Sequence, residues 1–433
     1  MLTLIKSARI LDPGNSDGTG NILIQDGRFQ EIRLYEGDSP PEEFEGSVDR
    51  TIDAAGRLLV PGLIDMHVHL REPGHEYKET IRTGCMAAAH GGFTTVCCMP
   101  NTSPVNDNAQ VTEYIGRQSA LADSVRVLPV GAVSLGLSGD RLSEYGDLKS
   151  AGAVALSDDG NPVANSLLMR RAMEYAAGFG LFVISHCEDP ALAGNGVMNE
   201  GETATRMGLA GIANAVETIM VMRDIALCEF TGIPVHIAHV SAKESVQAIR
   251  DAKKRGVLIT AETAPHYFTL TEEAVAGYNT HAKMNPPLRT EQDRLAIIDG
   301  LADGTLDVIA TDHAPHSSVE KELEFEKAAN GIIGLETSLA LGLNLVQNNQ
   351  VALPVLIEKM SKNPARILGI DNSITVGNRA DLTLIDLEAA WRVDASTFKS
   401  KSRNTPFDGW KVKGKAVMTM VGGRVVYEEM GEG

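Results

Sequence analysis

Eight short apolar, β-rich runs recur through the middle of this 433-residue chain, and few folds accommodate that number at that spacing. They occupy residues 58–66, 93–99, 125–133, 153–156, 181–184, 234–239, 257–261 and 306–311. Stretches with helical spacing lie between several of them, at 77–90, 167–178, 242–255 and 291–302. Near-continuous apolar strands that alternate with helices form a parallel sheet covered by those helices. Eight such units favour a closed (β/α)8 TIM barrel, an α/β fold, over an open doubly wound sheet. The chain carries neither a dinucleotide fingerprint nor a phosphate-loop sequence.

The two ends read differently. Short alternating runs stand at 2–7, 21–24 and 27–34, and again at 380–386, 416–421 and 424–428, with a turn at Gly422-Gly423. Pro40-Pro41-Glu42-Glu43 reads as a polar loop. Alternation implies one buried and one wet face. Residues 1–55 and 371–433 are expected to build a small β-sandwich domain from both termini, beside a barrel spanning 56–370.

Composition narrows the function classes. With 43% hydrophobic residues the chain can bury a large core, yet it has no apolar run of ~18 residues for a membrane span. Its start lacks the layout of a signal peptide. The five cysteines (Cys85, Cys97, Cys98, Cys187 and Cys228) are odd in number and lack zinc-finger spacing. A reduced cytoplasmic chain is expected, with the cysteines structural. A net charge of −18 argues against nucleic acid as a partner. An anionic small molecule would need a local positive site, which gives weight to any arginine beside a catalytic motif.

The strongest local signal is His67-Val68-His69-Leu70-Arg71, directly after an apolar run. Side chains at i, i+2 and i+4 of a strand share a face, so His67, His69 and Arg71 project together at the C-terminal end, the catalytic face of a barrel. Two imidazoles side by side make half a site for a borderline-soft metal. Other runs also end in ligand types: His186 after 183–185, His236 and His239 around 235–239, and Asp312-His313 after 308–311. His236 lies within its strand and reads as a packing or hydrogen-bonding residue, so His239 is the candidate ligand.

Taken together, His67, His69, His186, His239 and Asp312 resemble the ligand set of the amidohydrolase superfamily. Within it, four segments are similar to dihydroorotases of the bacterial class I type. They are His67-Val68-His69-Leu70-Arg71-Glu72-Pro73-Gly74, Met99-Pro100-Asn101-Thr102, Met284-Asn285-Pro286-Pro287-Leu288-Arg289 and Thr311-Asp312-His313-Ala314-Pro315-His316. The resemblance spans essentially the whole chain and includes Val376-Gly377-Asn378-Arg379-Ala380-Asp381-Leu382. Many superfamily members carry a lysine on the fourth strand whose carbamate bridges two metals. Here that strand reads Ala153-Val154-Ala155-Leu156-Ser157-Asp158-Asp159-Gly160, and Lys149 lies towards its wrong end. An aspartate takes the bridging role, or the site binds one metal. Alternation does not choose between Asp158 and Asp159 where the strand bends. Similarity to dihydroorotases with an Asp-Asp-Gly turn points to Asp159, with Asp158 as the alternative.

The resemblance implies zinc, one or two ions per subunit with two favoured. It also implies reversible cyclisation of N-carbamoyl-L-aspartate to dihydroorotate in pyrimidine biosynthesis. Asp312 is the expected proton shuttle between the attacking water and the leaving nitrogen. Arg71 can pair bidentately with the substrate carboxylate, and Asn101, Asn285 and His316 add hydrogen bonds. The polar segment 317–331 reads as a lid. Family members usually have Pro-Phe-Gly near its end, whereas this chain has Ala329-Asn330-Gly331; backbone contacts from Asn330 and Gly331 to the ring are expected there against that departure. His75, His90, His266 and His281 have structural or surface readings. The partners implied are a small-molecule substrate, a second copy in a homo-oligomer and aspartate transcarbamoylase. The rivals are a hydantoinase, dihydropyrimidinase or allantoinase, and a non-catalytic scaffold for the transcarbamoylase. The first two usually keep the bridging lysine, and a scaffold would have lost its ligands.

Overall fold

The computed structural model describes residues 1–35 and 47–429, and Pro40-Pro41-Glu42-Glu43 falls outside them. Five strands precede the barrel: β1 (Leu2–Asp12), β2 (Ser16–Gln25), β3 (Arg28–Tyr35), β4 (Arg50–Asp53) and β5 (Leu58–Pro61). The first five barrel strands are β6 (Leu63–Val68), β7 (Phe93–Cys98), β8 (Arg126–Ala132), β9 (Ala155–Ser157) and β10 (Val183–Ser185). A two-stranded excursion, β11 (Met198–Asn199) and β12 (Gly211–Ile212), follows. The barrel resumes with β13 (Val235–Ile237), β14 (Ile259–Thr263) and β15 (Val308–Ile309). The chain ends with β16 (Leu382–Arg392), β17 (Lys411–Val421) and β18 (Arg424–Glu428).

The eight barrel strands pair in parallel and in chain order. The ring is joined by a parallel bridge between Val68 and His313 and by the His69 N–H, which donates to the His313 carbonyl at 2.8 Å. Strands such as β6 and β7 are buried throughout, as expected where helices cover one face and the barrel interior the other. Inside the ring, Cys97, Met99, Val130, Ala155, Ile184 and Ala238 form their own cluster. The helical segments expected at 77–90, 167–178, 242–255 and 291–302 appear as Ile81–His90, Ser166–Ala177, Lys243–Lys254 and Glu291–Ala302. The first starts late because the Thr80 hydroxyl caps it, accepting the Thr83 N–H at 3.1 Å.

The termini meet in one eight-stranded sheet, ordered β18-β17-β16-β5-β1-β2-β3, with β4 also paired to β1. Its core, including Ile5, Ile22, Phe29, Leu382 and Met418, is distinct from that of the barrel. Strand β4 has no counterpart in the sequence expectations, since its four residues hold one buried apolar side chain, Ile52.

The single apolar run at 58–66 divides between the two sheets. Strand β5 pairs with β1 and β16, and the chain then crosses at Gly62 into β6. A Cβ on Gly62 would lie 2.2 Å from the Thr94 hydroxyl and 2.8 Å from its Cβ. Hydrophobicity alone could not reveal this step, because both halves are wholly buried. Nearby, Thr383 donates to the Gly92 carbonyl at 2.6 Å and Thr419 to the Ala89 carbonyl at 2.7 Å, seating the terminal sheet on the first barrel helix. No helix among the described residues is long and apolar enough to cross a membrane.

Gly62→Ala forces a methyl group into Thr94. It is expected to cost about 1–3 kcal/mol, the range for overpacking a filled core, measured as a lower midpoint in denaturant unfolding.

Candidate metal centre and active site

The barrel strands end in polar residues that meet over its C-terminal mouth. His67 is the penultimate residue of β6 and His69 follows directly after the strand; both are buried. Asp159 follows β9, His186 follows β10, His239 lies just beyond β13, and Asp312 comes after β15. All six are buried and mutually close. His67 Nε2 lies 3.3 Å from Asp159 Oδ1 and 3.7 Å from Asp312 Oδ1. His69 Nε2 is 3.1 Å from Asp312 Oδ1 and 3.4 Å from Asp159 Oδ2. Asp159 Oδ1 is 3.5 Å from both His186 Nδ1 and His239 Nε2, and those two nitrogens face each other at 2.7 Å.

Local backbone helps to aim these groups. Arg71, His239 and Asp312 have positive φ values of 62°, 35° and 49°. Non-glycine residues rarely take this conformation, which clusters at functional sites. It turns the chain out of the strand where the side chain must face the mouth.

Asp158 and Asp159, open alternatives in the sequence, separate here. Asp158 accepts the Ser134 N–H at 3.0 Å and is also bonded by the Ser134 hydroxyl, away from the histidines. Burial pushes its carboxyl up to about 6. For Asp159 burial acts in the same direction, but the charge of His67 and the close approach of His186 and His239 outweigh it and hold the carboxyl well below its ordinary range.

These residues fit a divalent metal. His67 Nε2 is buried and makes no hydrogen bond. Two groups, His67 with Asp159 and His239, and His67 with His69 and Asp312, each hold their ligand atoms within 4.8 Å. Asp159 stands between them, with Oδ1 towards His67, His186 and His239 and Oδ2 towards His69.

The outer nitrogens are engaged by groups the sequence reading did not single out. Glu262, on β14, lies 2.7 Å from His67 Nδ1 and 3.2 Å from His236 Nε2. Glu188 lies 3.3 Å from His186 Nε2. Asp65 accepts the His67 N–H at 3.0 Å and the Thr311 N–H at 3.1 Å. One of these, Asp65, left a trace in the sequence as an acid embedded in the apolar run 58–66, and Glu262 directly follows the run 257–261.

The other expected site residues divide into three places. Asn101 sits on the cluster, with Oδ1 2.8 Å from His69 Nδ1 and Nδ2 3.4 Å from Asp159. Asn285 donates to Glu188 at 2.6 Å, on the His186 side. Arg71 and His316 form the opposite wall, with Arg71 Nη2 3.3 Å from His316 Nε2. That same nitrogen of His316 is 2.7 Å from the Asn330 carbonyl. Asn330 is otherwise exposed. Gly331 is buried, and both its backbone groups already have partners: its N–H donates to the Lys283 carbonyl at 3.0 Å, and its carbonyl accepts from Lys321 at 3.1 Å and Asn404 at 3.1 Å. His266, read as structural, is buried near Asp312 and His239, and burial lowers its imidazole to about 4.

Known proteins are similar to this chain along nearly its whole length. A family model described as dihydro-orotase-like matches residues 56–245. A dihydroorotase of Desulforapulum autotrophicum is 61% identical over 428 residues, covering 99% of each chain. One from Geobacter metallireducens is 56% identical over 430 residues, covering 99% of this chain and 100% of its own. Among solved structures, the L-hydantoinase (dihydropyrimidinase) of Arthrobacter aurescens superimposes with a TM-score of 0.86 at 27% identity, over 99% of this chain and 96% of the other. Identity at that level over nearly every residue leaves one conclusion: the chain belongs to the dihydroorotase family.

Proposed function

We propose that this chain, a hydrolase of cyclic amides, catalyses reversible ring closure of N-carbamoyl-L-aspartate to (S)-dihydroorotate in pyrimidine biosynthesis. The observation that carries the substrate assignment is Arg71. This half-buried guanidinium stands beside the cluster, donates from Nε to the Pro315 carbonyl at 3.1 Å, and has no carboxylate partner among the described residues. An enclosed cation without a counter-charge is costly, and a substrate carboxylate would supply one by bidentate pairing. Burial, and then the charge of Arg71, lower the His316 imidazole to about 2. His316 is therefore neutral and can hydrogen-bond the same carboxylate without adding charge.

Zinc suits the imidazole and carboxylate donors. His67, His69, Asp159, His186, His239 and Asp312 would hold it, and the two overlapping ligand groups favour two ions. When bound, zinc lowers the pKa of water towards ~7 and polarises the amide carbonyl. The chain's own residues supply the rest. Burial pushes the Asp312 carboxyl up, but its hydrogen bond with His69 and the positive charge around it hold it ionised; a bound cation would take over that role from the histidines, which ligate metal as neutral rings. Asp312 can accept the proton of the attacking water and pass it to the ring nitrogen as the amide bond breaks. In ring closure the same transfer runs backwards. Asn101 and Asn285 flank the mouth with amide groups that reorient onto the ring.

A carboxylate-free ring is the second reading, favoured by the likeness to the L-hydantoinase. Arg71 argues against it, since a hydantoin leaves that charge unmatched. Homo-oligomerisation belongs to the same proposal. The helix Asn214–Thr231 exposes Ile219, Met222 and Phe230 along one face, as a subunit contact would require.

Three outcomes are expected. Asp312→Asn should lower kcat for dihydroorotate hydrolysis by about 10²–10⁴-fold, the usual contribution of a general base; near-normal turnover would remove Asp312 from this role. Arg71→Met should raise KM for dihydroorotate by roughly 10–100-fold, the loss of a charge-assisted pair worth about 1.5–3 kcal/mol, and should leave hydantoin opening no slower. Chelation should abolish ring opening, with zinc restoring it in proportion to metal bound; full activity in metal-free protein would refute the proposed chemistry.

A further inference from the structure

At the other end of the barrel from the catalytic groups lies a cleft of about 540 Å³, lined by residues of both sheets. Two hairpin turns make one wall. Asp26-Gly27 joins β2 to β3 and Gly422-Gly423 joins β17 to β18, and all four residues have positive φ, between 50° and 81°. The turns meet glycine to glycine. A Cβ on Gly27 would lie 2.6 Å from the Gly422 carbonyl oxygen, and one on Gly423 would lie 2.7 Å from the Gly27 Cα. The opposite wall is the end of the helix Ala109–Ala122 and the chain leading into β8.

Four arginines line this cleft: Arg28, Arg126, Arg379 and Arg424. Asp381 is shared by Arg126, at 2.7 Å, and Arg379, at 3.0 Å. Arg424 pairs with Asp123 at 2.6 Å. Arg28 donates to the Gly377 carbonyl at 2.8 Å and has no ion pair among the described residues. Asp26 is engaged by the amino terminus of Met1 at 3.0 Å. Two carboxylates thus serve three of the four guanidiniums, and Arg28 has none. Each guanidinium has five N–H donors, most of which the bonds just named leave over, and the Nε of Arg126 is buried with no hydrogen-bond partner.

The bland explanation is a set of ion pairs joining sheet to barrel. It accounts for Arg126 with Asp381 and for Arg424 with Asp123. It does not account for Arg28, or for a surplus of positive charge gathered in one cleft of a chain whose net charge is −18. Guanidiniums on both walls of one cleft suit an oxyanion, for which guanidinium geometry is well matched. The volume falls within the range of ligand sites, about 300–1,000 Å³, and exceeds what a lone phosphate fills.

We propose that this cleft binds a small phosphate-bearing anion through Arg28, Arg126 and Arg379, apart from the catalytic mouth. The test is calorimetric titration of the full zinc-loaded chain with inorganic pyrophosphate and, separately, with adenosine triphosphate. One equivalent of pyrophosphate should bind, and Arg28→Gln/Arg379→Gln should weaken it at least tenfold while ring-opening activity is unchanged. Arg28→Gln alone, which breaks no ion pair, should weaken binding in the same direction and guards against misfolding of the double variant. Tighter binding of the nucleotide assigns the site to a nucleoside phosphate, and equal binding assigns it to the phosphate groups alone. No heat at millimolar pyrophosphate, or undiminished binding in the variants, overturns the proposal.

Discussion

The buried contact between Glu262 and His67, 2.7 Å long, decides which nitrogen of His67 faces the centre of the site. With Nδ1 engaged behind it, Nε2 is turned towards Asp159 and Asp312. The same carboxylate meets His236, so one acid orients two imidazoles from adjacent strands. Burial alone would push Glu262 up, but its two histidine bonds prevail and bring it to about 2. A carboxylate behind a ligating histidine fixes the ring and raises its basicity. His69 and His186 follow the same pattern, with Asn101 and Glu188 as their outer partners. Each inner nitrogen is thereby committed to a common centre. The buried His67 Nε2 without a hydrogen bond, at the meeting point of two groups of ligand atoms, is why the donor set reads as a metal site.

Charge also organises the mouth. A chain of net charge −18 repels an anionic substrate at long range, so capture depends on cations at close quarters. Arg71 and Lys78 both approach His316; Lys78 pairs with Glu320 at 2.7 Å, so of these two only Arg71 lacks an acid. The neighbouring segment is held differently. Lys321 is buried and donates to the carbonyls of Lys283, Ala329 and Gly331, and Lys283 donates to those of Glu326 and Ala328. These ammonium groups face carbonyls and no carboxylate. They order the segment expected to act as a lid, and its backbone oxygens are turned onto protein donors.

Much of this was legible in the sequence because a parallel barrel advertises itself. Its strands are apolar on both faces, and ligand-type residues at their C-terminal ends stand out against that background. His67 and His69 follow from a period of two, and Asp312 from its place after the last strand. The choice of Asp159 over Asp158 was legible only through the family resemblance; alternation could not make it, because Ser134, 24 residues earlier, takes Asp158. The passage from β5 to β6 was hidden for another reason: a glycine crossing between two buried strands changes no hydropathy. Glu262 was visible as an acid directly after an apolar run, but only the fold shows that it stands behind His67.

Asn404 had no local signal at all, and it changes how the two sheets relate. It lies in the connection between β16 and β17, far along the chain from the catalytic motifs. Its side-chain oxygen accepts the His316 N–H at 3.1 Å, and its amide donates to the carbonyls of Ala314 at 2.9 Å and Gly331 at 3.1 Å. Its carbonyl accepts the Ile333 N–H at 3.0 Å. A few residues earlier, the Lys401 N–H donates to Glu79 at 3.1 Å, and Glu79 in turn lies 3.4 Å from His313 Nε2. The connection thus ties down the chain on both sides of His316. A sheet that only supported the barrel would touch it at Gly62 and the first helix. This one also reaches the catalytic mouth, so the wall that carries His316 is held in place by the connection between two strands of the terminal sheet.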